Sequence, residues 1–173
     1  MFPKLKIIAF SAALPALWSV YSLLSKQFDV MFSSLYALFC IIAFTFASKK
    51  FPVFKTRTFY SVIIFILLSV FAGKALRFYF IVPRWDKILH FLSGFIIVWA
   101  GKDVYIKLKG DTQNRWLMNA FALITAIAIA GVWEMVEFSG DTLFGFSSQN
   151  GSLSDSMIDM IYGSVSAVTA VIF

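Results

Sequence analysis

The chain has very little of what usually makes function legible. It carries one cysteine, Cys40, and one histidine, His90, among 173 residues. No intrachain disulfide can form, and cysteine usage says nothing about the redox compartment. No HExxH pair, glycine-rich phosphate loop or G-x-S-x-G elbow occurs, so the common metalloprotease, nucleotide-binding and hydrolase signatures are absent. Charged residues make up 14% of the chain, too few to coat a soluble domain of this length. That leaves no room for a soluble catalytic domain. A net charge of +6 raises the question of nucleic acid, but no cluster of base-reading residues accompanies it. Lys and Arg instead sit at the ends of apolar runs, where they set membrane topology.

What is abundant is apolar. Sixty per cent of residues are hydrophobic and 21 are Phe, which fits a surface that faces lipid. A helix needs about 20 residues to cross a bilayer. Six stretches qualify: 5–24, 30–47, 59–82, 88–108, 117–138 and 157–173. Pro15 kinks the first. Lys4 and Lys6 ahead of it would also suit a signal peptide, but no small-x-small cleavage site follows, so it reads as a retained helix. No repeat or linker divides the chain. The expected fold is all-α: one polytopic transmembrane domain, 1–173.

Ten cations (Lys4, Lys6, Lys49, Lys50, Lys55, Arg57, Lys102, Lys107, Lys109 and Arg115) fall on one side of these spans. Lys26, Lys74, Arg77, Arg84 and Lys87 fall on the other. The positive-inside rule then places both termini in the cytoplasm of a cell (inner) membrane. The acids were not used in that count, and they distribute unevenly. Asp103 and Asp111 are cytoplasmic, whereas Asp29, Asp86, Glu134, Glu137, Asp141, Asp155 and Asp159 all fall outside.

Several of these acids lie at helical spacing. Asp86 and His90 are four apart at the start of the fourth span. Glu134, Glu137 and Asp141 share a stripe at the end of the fifth, and Asp155 and Asp159 are four apart at the start of the sixth. Carboxylates and a histidine projecting from several helices are the material of bundle metal sites. Each ionisable group within a membrane helix costs about 2.5–3.5 kcal/mol and needs a partner. Asp86, His90, Glu134, Glu137, Asp155 and Asp159 are therefore the candidate ligands of a divalent metal. An imidazole among carboxylates suits Zn²⁺, Mn²⁺ or Fe²⁺, and oxygen ligands alone suit Mg²⁺ or Ca²⁺. Two plainer readings stand beside this one. The acids are solvated residues at helix ends, with Ser152, Ser154 and Asp155 as N-cap candidates, or Lys74, Arg77, Arg84 and Lys87 neutralise them in structural ion pairs.

Smaller features read as packing. Gly94 with Ser93, Gly101 and Gly131 permit close helix approach, as does the stripe Gly163, Ser166, Ala170. Trp85, Trp99, Trp116 and Trp133 read as interfacial anchors. The segment Thr142–Ser154, with Phe144 and Phe146, reads as a surface loop or an interfacial flap.

Trp85-Asp86-Lys87-Ile88-Leu89-His90-Phe91 with Gly94 resembles the D-K-x-x-H-F pattern of VanZ-like proteins and of the YjdF-type bacterial inner-membrane family. Glu134-x-x-Glu137-Phe138, then Asp155-x-x-x-Asp159-Met160 and Gly163, resembles the YjdF-type family more closely. Lys102-Asp103 falls where that family has a basic-acidic pair. The likeness covers the second half of the chain and implies a helical membrane protein, with no particular reaction attached.

Three functions fit these residues. The first is an outer-leaflet site holding a divalent metal and a lipid or phosphate-type headgroup. There His90 or Glu134 would act as general base, and Lys74, Arg77, Arg84 and Asp141 would contact substrate. Turnover is left open; its form would be a metal-assisted hydrolase or transferase acting on a membrane-associated substrate. The second is a small transporter or proton-coupled protein, working best as a homo-oligomer. Thr125 is one of few polar residues in the middle of the fourth and fifth spans, which argues against a through-path. The third is an accessory protein stapled by an ion-paired cluster.

Overall fold

The computed structural model describes residues 2–110, 114–145, 148–149 and 152–172, without the side chains of residues 2–5. Asp111, Phe146, Phe173 and the Lys4 side chain, named above, lie outside the described residues. Every regular element among the described residues is helical: α1 (Phe2–Leu24), α2 (Phe28–Lys50), α3 (Thr56–Ile66), α4 (Phe78–Ile81), α5 (Trp85–Lys109), α6 (Arg115–Phe144) and α7 (Leu153–Ile172). A π-helical stretch, Leu67–Ala75, continues α3 without a break. Among the described residues, six helical segments are long and apolar enough to cross a membrane. In hydrocarbon a helix satisfies its own backbone, which is why such runs adopt no other form.

The third segment departs from expectation. It does not run to residue 82 but stops at Ala75. Leu76 donates to the Phe71 carbonyl five residues back (3.0 Å), and Arg77 turns left-handed at φ 61°. Behind this lies Gly73, on which the Tyr79 ring rests; a Cβ there would stand 2.4 Å from Tyr79 Cε2. The ring folds back where a continuous helix would have carried it away. Elsewhere the helices are longer than expected. Asn114 caps α6 by accepting from the Leu117 amide (2.9 Å). Gly145, at φ 70°, ends α6 with the left-handed turn that favours glycine. Thr142–Phe144 and Leu153–Ser154 are therefore helical rather than loop. Ser154 and Asp155 lie inside the first turn of α7 rather than at its cap.

The chain forms two compact units, Met1–Trp85 and Asp86–Phe173. The first buries small and polar groups beside a few large apolar ones, Ile41, Phe59 and Ile63 among them, and leaves many large apolar ones outside. Ser34 and Ala37 are buried, whereas Phe32, Phe39 and Phe46 on the same helix are exposed. Two of the buried hydroxyls return to their own helices, Ser22 to the Trp18 carbonyl (2.7 Å) and Ser34 to that of Val30 (2.8 Å). This inside-out pattern suits a lipid solvent, where packing and hydrogen bonding hold helices together in place of a hydrophobic drive.

The second unit packs α5, α6 and α7 through matching stripes of small residues. On α6 the buried face is Ala122, Ala126, Ala130 and Glu134, each four residues from the last. On α7 it runs through Asp159, Gly163, Ser166, Ala167 and Ala170, and on α5 through His90, Gly94, Val98 and Gly101. A Cβ on Gly94 would lie 1.9 Å from Ser166 Oγ and 2.3 Å from the Gly163 carbonyl oxygen. One on Gly101 would lie 2.9 Å from Ala122 Cα. These two glycines bring α5 against α7 and α6. Gly131, expected to do the same, does not; its Cβ would meet Met160 Cε at an ordinary 3.5 Å.

Candidate functional site

Each stripe ends, at the same end of the second unit, in an ionisable residue. Glu134 takes the next core-facing place after three alanines. His90 precedes Gly94 by one turn, and Asp159 precedes Gly163 by one turn. Helical periodicity thus carries all three inward, and the Gly94 contact holds α5 and α7 close. Only 6% of Glu134 and 2% of Asp159 is exposed, and His90 is buried with them. Because α6 continues to Phe144, Glu134 lies ten residues inside its end, about 15 Å along the axis. An ordinary solvated helix end does not describe it.

His90 Nε2 stands 3.7 Å from Asp86 Oδ1, 3.9 Å from Glu134 Oε1 and 3.9 Å from Asp159 Oδ1. All three separations are too long for hydrogen bonds. Both Glu134 oxygens and Asp159 Oδ1 are buried without a hydrogen-bond partner. Asp86, His90 and Asp159 each offer a donor atom, and the three lie within 4.8 Å of one another. Bonds of about 2.0–2.2 Å to a tetrahedral ion place its ligands roughly 3.3–3.6 Å apart. The observed spacing is slightly more open than that and would admit an ion after small side-chain shifts.

On the far side of the same aspartates sits Lys87. Its Nζ donates to Asp155 Oδ1 (2.5 Å) and Asp159 Oδ2 (2.7 Å), and lies 3.5 Å from Asp86 Oδ2. Asp86 and Asp159 therefore each turn one oxygen to the lysine and the other to the histidine. Asp155 faces the lysine.

The remaining candidates lie outside this group. Glu137 Oε1 accepts from the Trp133 indole (2.7 Å), so Trp133, read as an interfacial anchor, has a polar task on its own helix. Both Asp141 oxygens accept backbone amides, from Ser148 (2.8 Å) and Gln149 (3.0 Å). Lys74, Arg77 and Arg84 belong to the first unit, are exposed there, and Arg77 pairs with Asp29 at 2.9 Å. Within the second unit, the expected cation Lys87 pairs with the acids.

Two residues were not foreseen. Gln149 donates through Nε2 to Ser156 Oγ (2.8 Å) and the Glu134 carbonyl (3.3 Å), tying the α6–α7 connection to the edge of the cluster. A loop residue has no periodicity to betray it. Ser156 was hidden as an ordinary helix-start serine, although its place three before Asp159 put it on the buried face.

The comparisons with known proteins bear on the frame and not on the chemistry. An uncharacterized protein of Thermotoga maritima is 29% identical over 105 residues, 56% of this chain and 50% of that protein. The chain thus spans about half the length of the curated relative it matches. No solved structure matches. A family model, described as predicted membrane protein (DUF2238), matches residues 5–173, which include both units and every member of the cluster. With six apolar spans and that match along nearly its whole length, the chain belongs to the DUF2238 family of predicted membrane proteins.

Proposed function

We propose that this multi-pass protein of the bacterial cytoplasmic membrane binds a divalent cation between His90, Asp86, Asp159 and Glu134, and that the bound ion engages a phosphate-type or lipid headgroup. One observation carries the reading: two buried carboxylate oxygens without hydrogen-bond partners, Glu134 Oε1 and Asp159 Oδ1, each stand 3.9 Å from one imidazole nitrogen, with Asp86 Oδ1 beside them at 3.7 Å. Burying an unpaired carboxylate is costly, and a shared cation offsets several at once. The ligand mix favours Zn²⁺, Mn²⁺ or Fe²⁺. Glu137 and Asp155 stand behind the ligands, bonded to Trp133 and Lys87. Asp141 holds the α6–α7 connection. In the enzymatic form, Glu134 or His90 would take a proton from water at the ion. The likeness to the D-K-x-x-H-F proteins and the positive-inside count support an inner-membrane site opening to the outer face.

Metal content of the detergent-purified protein tests this. About one divalent ion per chain in wild type, lost in His90→Gln and Glu134→Gln, is the expected result. A metal-free wild type after equilibration with Zn²⁺, Mn²⁺ and Fe²⁺ overturns it. The ion pairs of Lys87 favour a second reading, a cluster that staples α5 to α7 and binds nothing. It expects Glu134→Gln and His90→Gln to lower stability while leaving every metal titration flat.

A further inference from the structure

We infer that the Lys87 ammonium occupies the second of two cation positions in this cluster, and so limits it to a single divalent ion. The inference rests on the cation-binding reading of the same residues and names what sets its capacity. Asp86 and Asp159 each divide their two oxygens between His90 and Lys87. Carboxylates that bridge in this way are how two-metal sites hold ions about 3.5–4 Å apart. On the histidine side Asp159 Oδ1 and both Glu134 oxygens are buried without a hydrogen-bond partner. On the lysine side Asp155 Oδ1, Asp159 Oδ2 and Asp86 Oδ2 surround one Nζ at 2.5, 2.7 and 3.5 Å. Two of these oxygens accept hydrogen bonds from the ammonium and the third stands at ion-pair distance, so Lys87 is committed to the aspartates. Its place in the chain fixes this role. One residue after Asp86, it emerges beside that aspartate at the start of α5, facing Asp155 and Asp159 of α7. A tethered monovalent cation there offsets part of the aspartates' charge and cannot exchange with solution.

The test counts ions. The full chain, purified in detergent, is equilibrated with Mn²⁺ and its bound metal measured for wild type, Lys87→Met and Lys87→Arg. Methionine keeps the bulk of the side chain and removes its charge. Lys87→Met is expected to bind one Mn²⁺ more per chain than wild type, and Lys87→Arg the same number as wild type. No gain in Lys87→Met overturns the inference. The wild-type count separately decides the cation-binding proposal: one ion in wild type and one in Lys87→Met sinks this inference alone. No ion in wild type and one in Lys87→Met sinks that proposal and leaves the lysine as the occupant. If Lys87→Met unfolds in metal-free buffer, its unfolding temperature is read against Mn²⁺ concentration. Recovery to near the wild-type value supports the inference, and failure to recover overturns it.

Discussion

Glu134 Oε1 stands 3.9 Å from His90 Nε2, and neither Glu134 oxygen accepts a hydrogen bond. A carboxylate in that position destabilises the metal-free fold. Glu134→Gln should raise stability in chelator-treated detergent by about 1–3 kcal/mol, seen as a higher unfolding temperature. It should also abolish stabilisation by Mn²⁺, which for wild type at a hundredfold excess over Kd amounts to about 2.7 kcal/mol. Thermal unfolding with and without metal gives both numbers. A fall in metal-free stability would mean that Glu134 already has a partner.

The two bridging aspartates should differ in structural weight. Asp159 is almost fully buried and holds Lys87 at 2.7 Å, whereas the Asp86 side chain is 29% exposed at 3.5 Å. Asp159→Asn should cost about 1–3 kcal/mol and Asp86→Asn less than about 1 kcal/mol. Denaturation of the two variants side by side checks the order; equal losses would contradict it.

Gly94 and Gly131 make a matched pair. A methyl at Gly94 collides with Ser166 and with the Gly163 backbone, so Gly94→Ala should cost about 1–3 kcal/mol. Ser166→Ala should not rescue it, since the carbonyl remains. Gly131→Ala meets nothing closer than 3.5 Å and should be neutral or stabilise by up to about 1 kcal/mol through helix propensity. Detergent melting curves of the three variants are sufficient.

Asp141 holds the amides of Ser148 and Gln149. In Asp141→Ala those two amides should exchange hydrogen faster, with α5 protection unchanged. Exchange mass spectrometry resolves the segments. Unaltered exchange at residues 148–149 would show that the loop does not depend on this side chain.

The positive-inside assignment predicts opposite labelling from the two faces. In a Cys40→Ser background, Ser148→Cys should react with a membrane-impermeant maleimide added outside intact spheroplasts, and Lys50→Cys only after lysis. The reverse pattern would invert the protein.

Much of the site could be read from sequence because its chemistry is carried on helices. Asp86 with His90, and Asp155 with Asp159, are four apart, and that spacing survives folding. Glu134 was legible as an acid deep in an apolar run, though its place in line with Ala122, Ala126 and Ala130 was the stronger signal. What escaped depends on contacts without a period. Tyr79 resting on Gly73 ends the third span early, Gln149 reaches the cluster from a loop, and Trp133 turns its indole to Glu137. Which cation would sit among the acids was also not decidable from charge alone. Four were near in the chain, and only the direction in which Lys87 leaves α5 selects it.

The order of the three helices along the chain has a consequence for biogenesis. Glu134 lies in α6, ahead of Asp159 and the rest of α7 in the chain, and leaves the ribosome before them. Until α7 docks against Gly94, the glutamate and the histidine have no third helix to enclose them. The α5–α6 hairpin is thus a half-built intermediate with a polar flank, and α7 acts as its clasp. Any partner that shields this flank during synthesis, whether the insertion machinery or a second hairpin, must leave before the cluster can close.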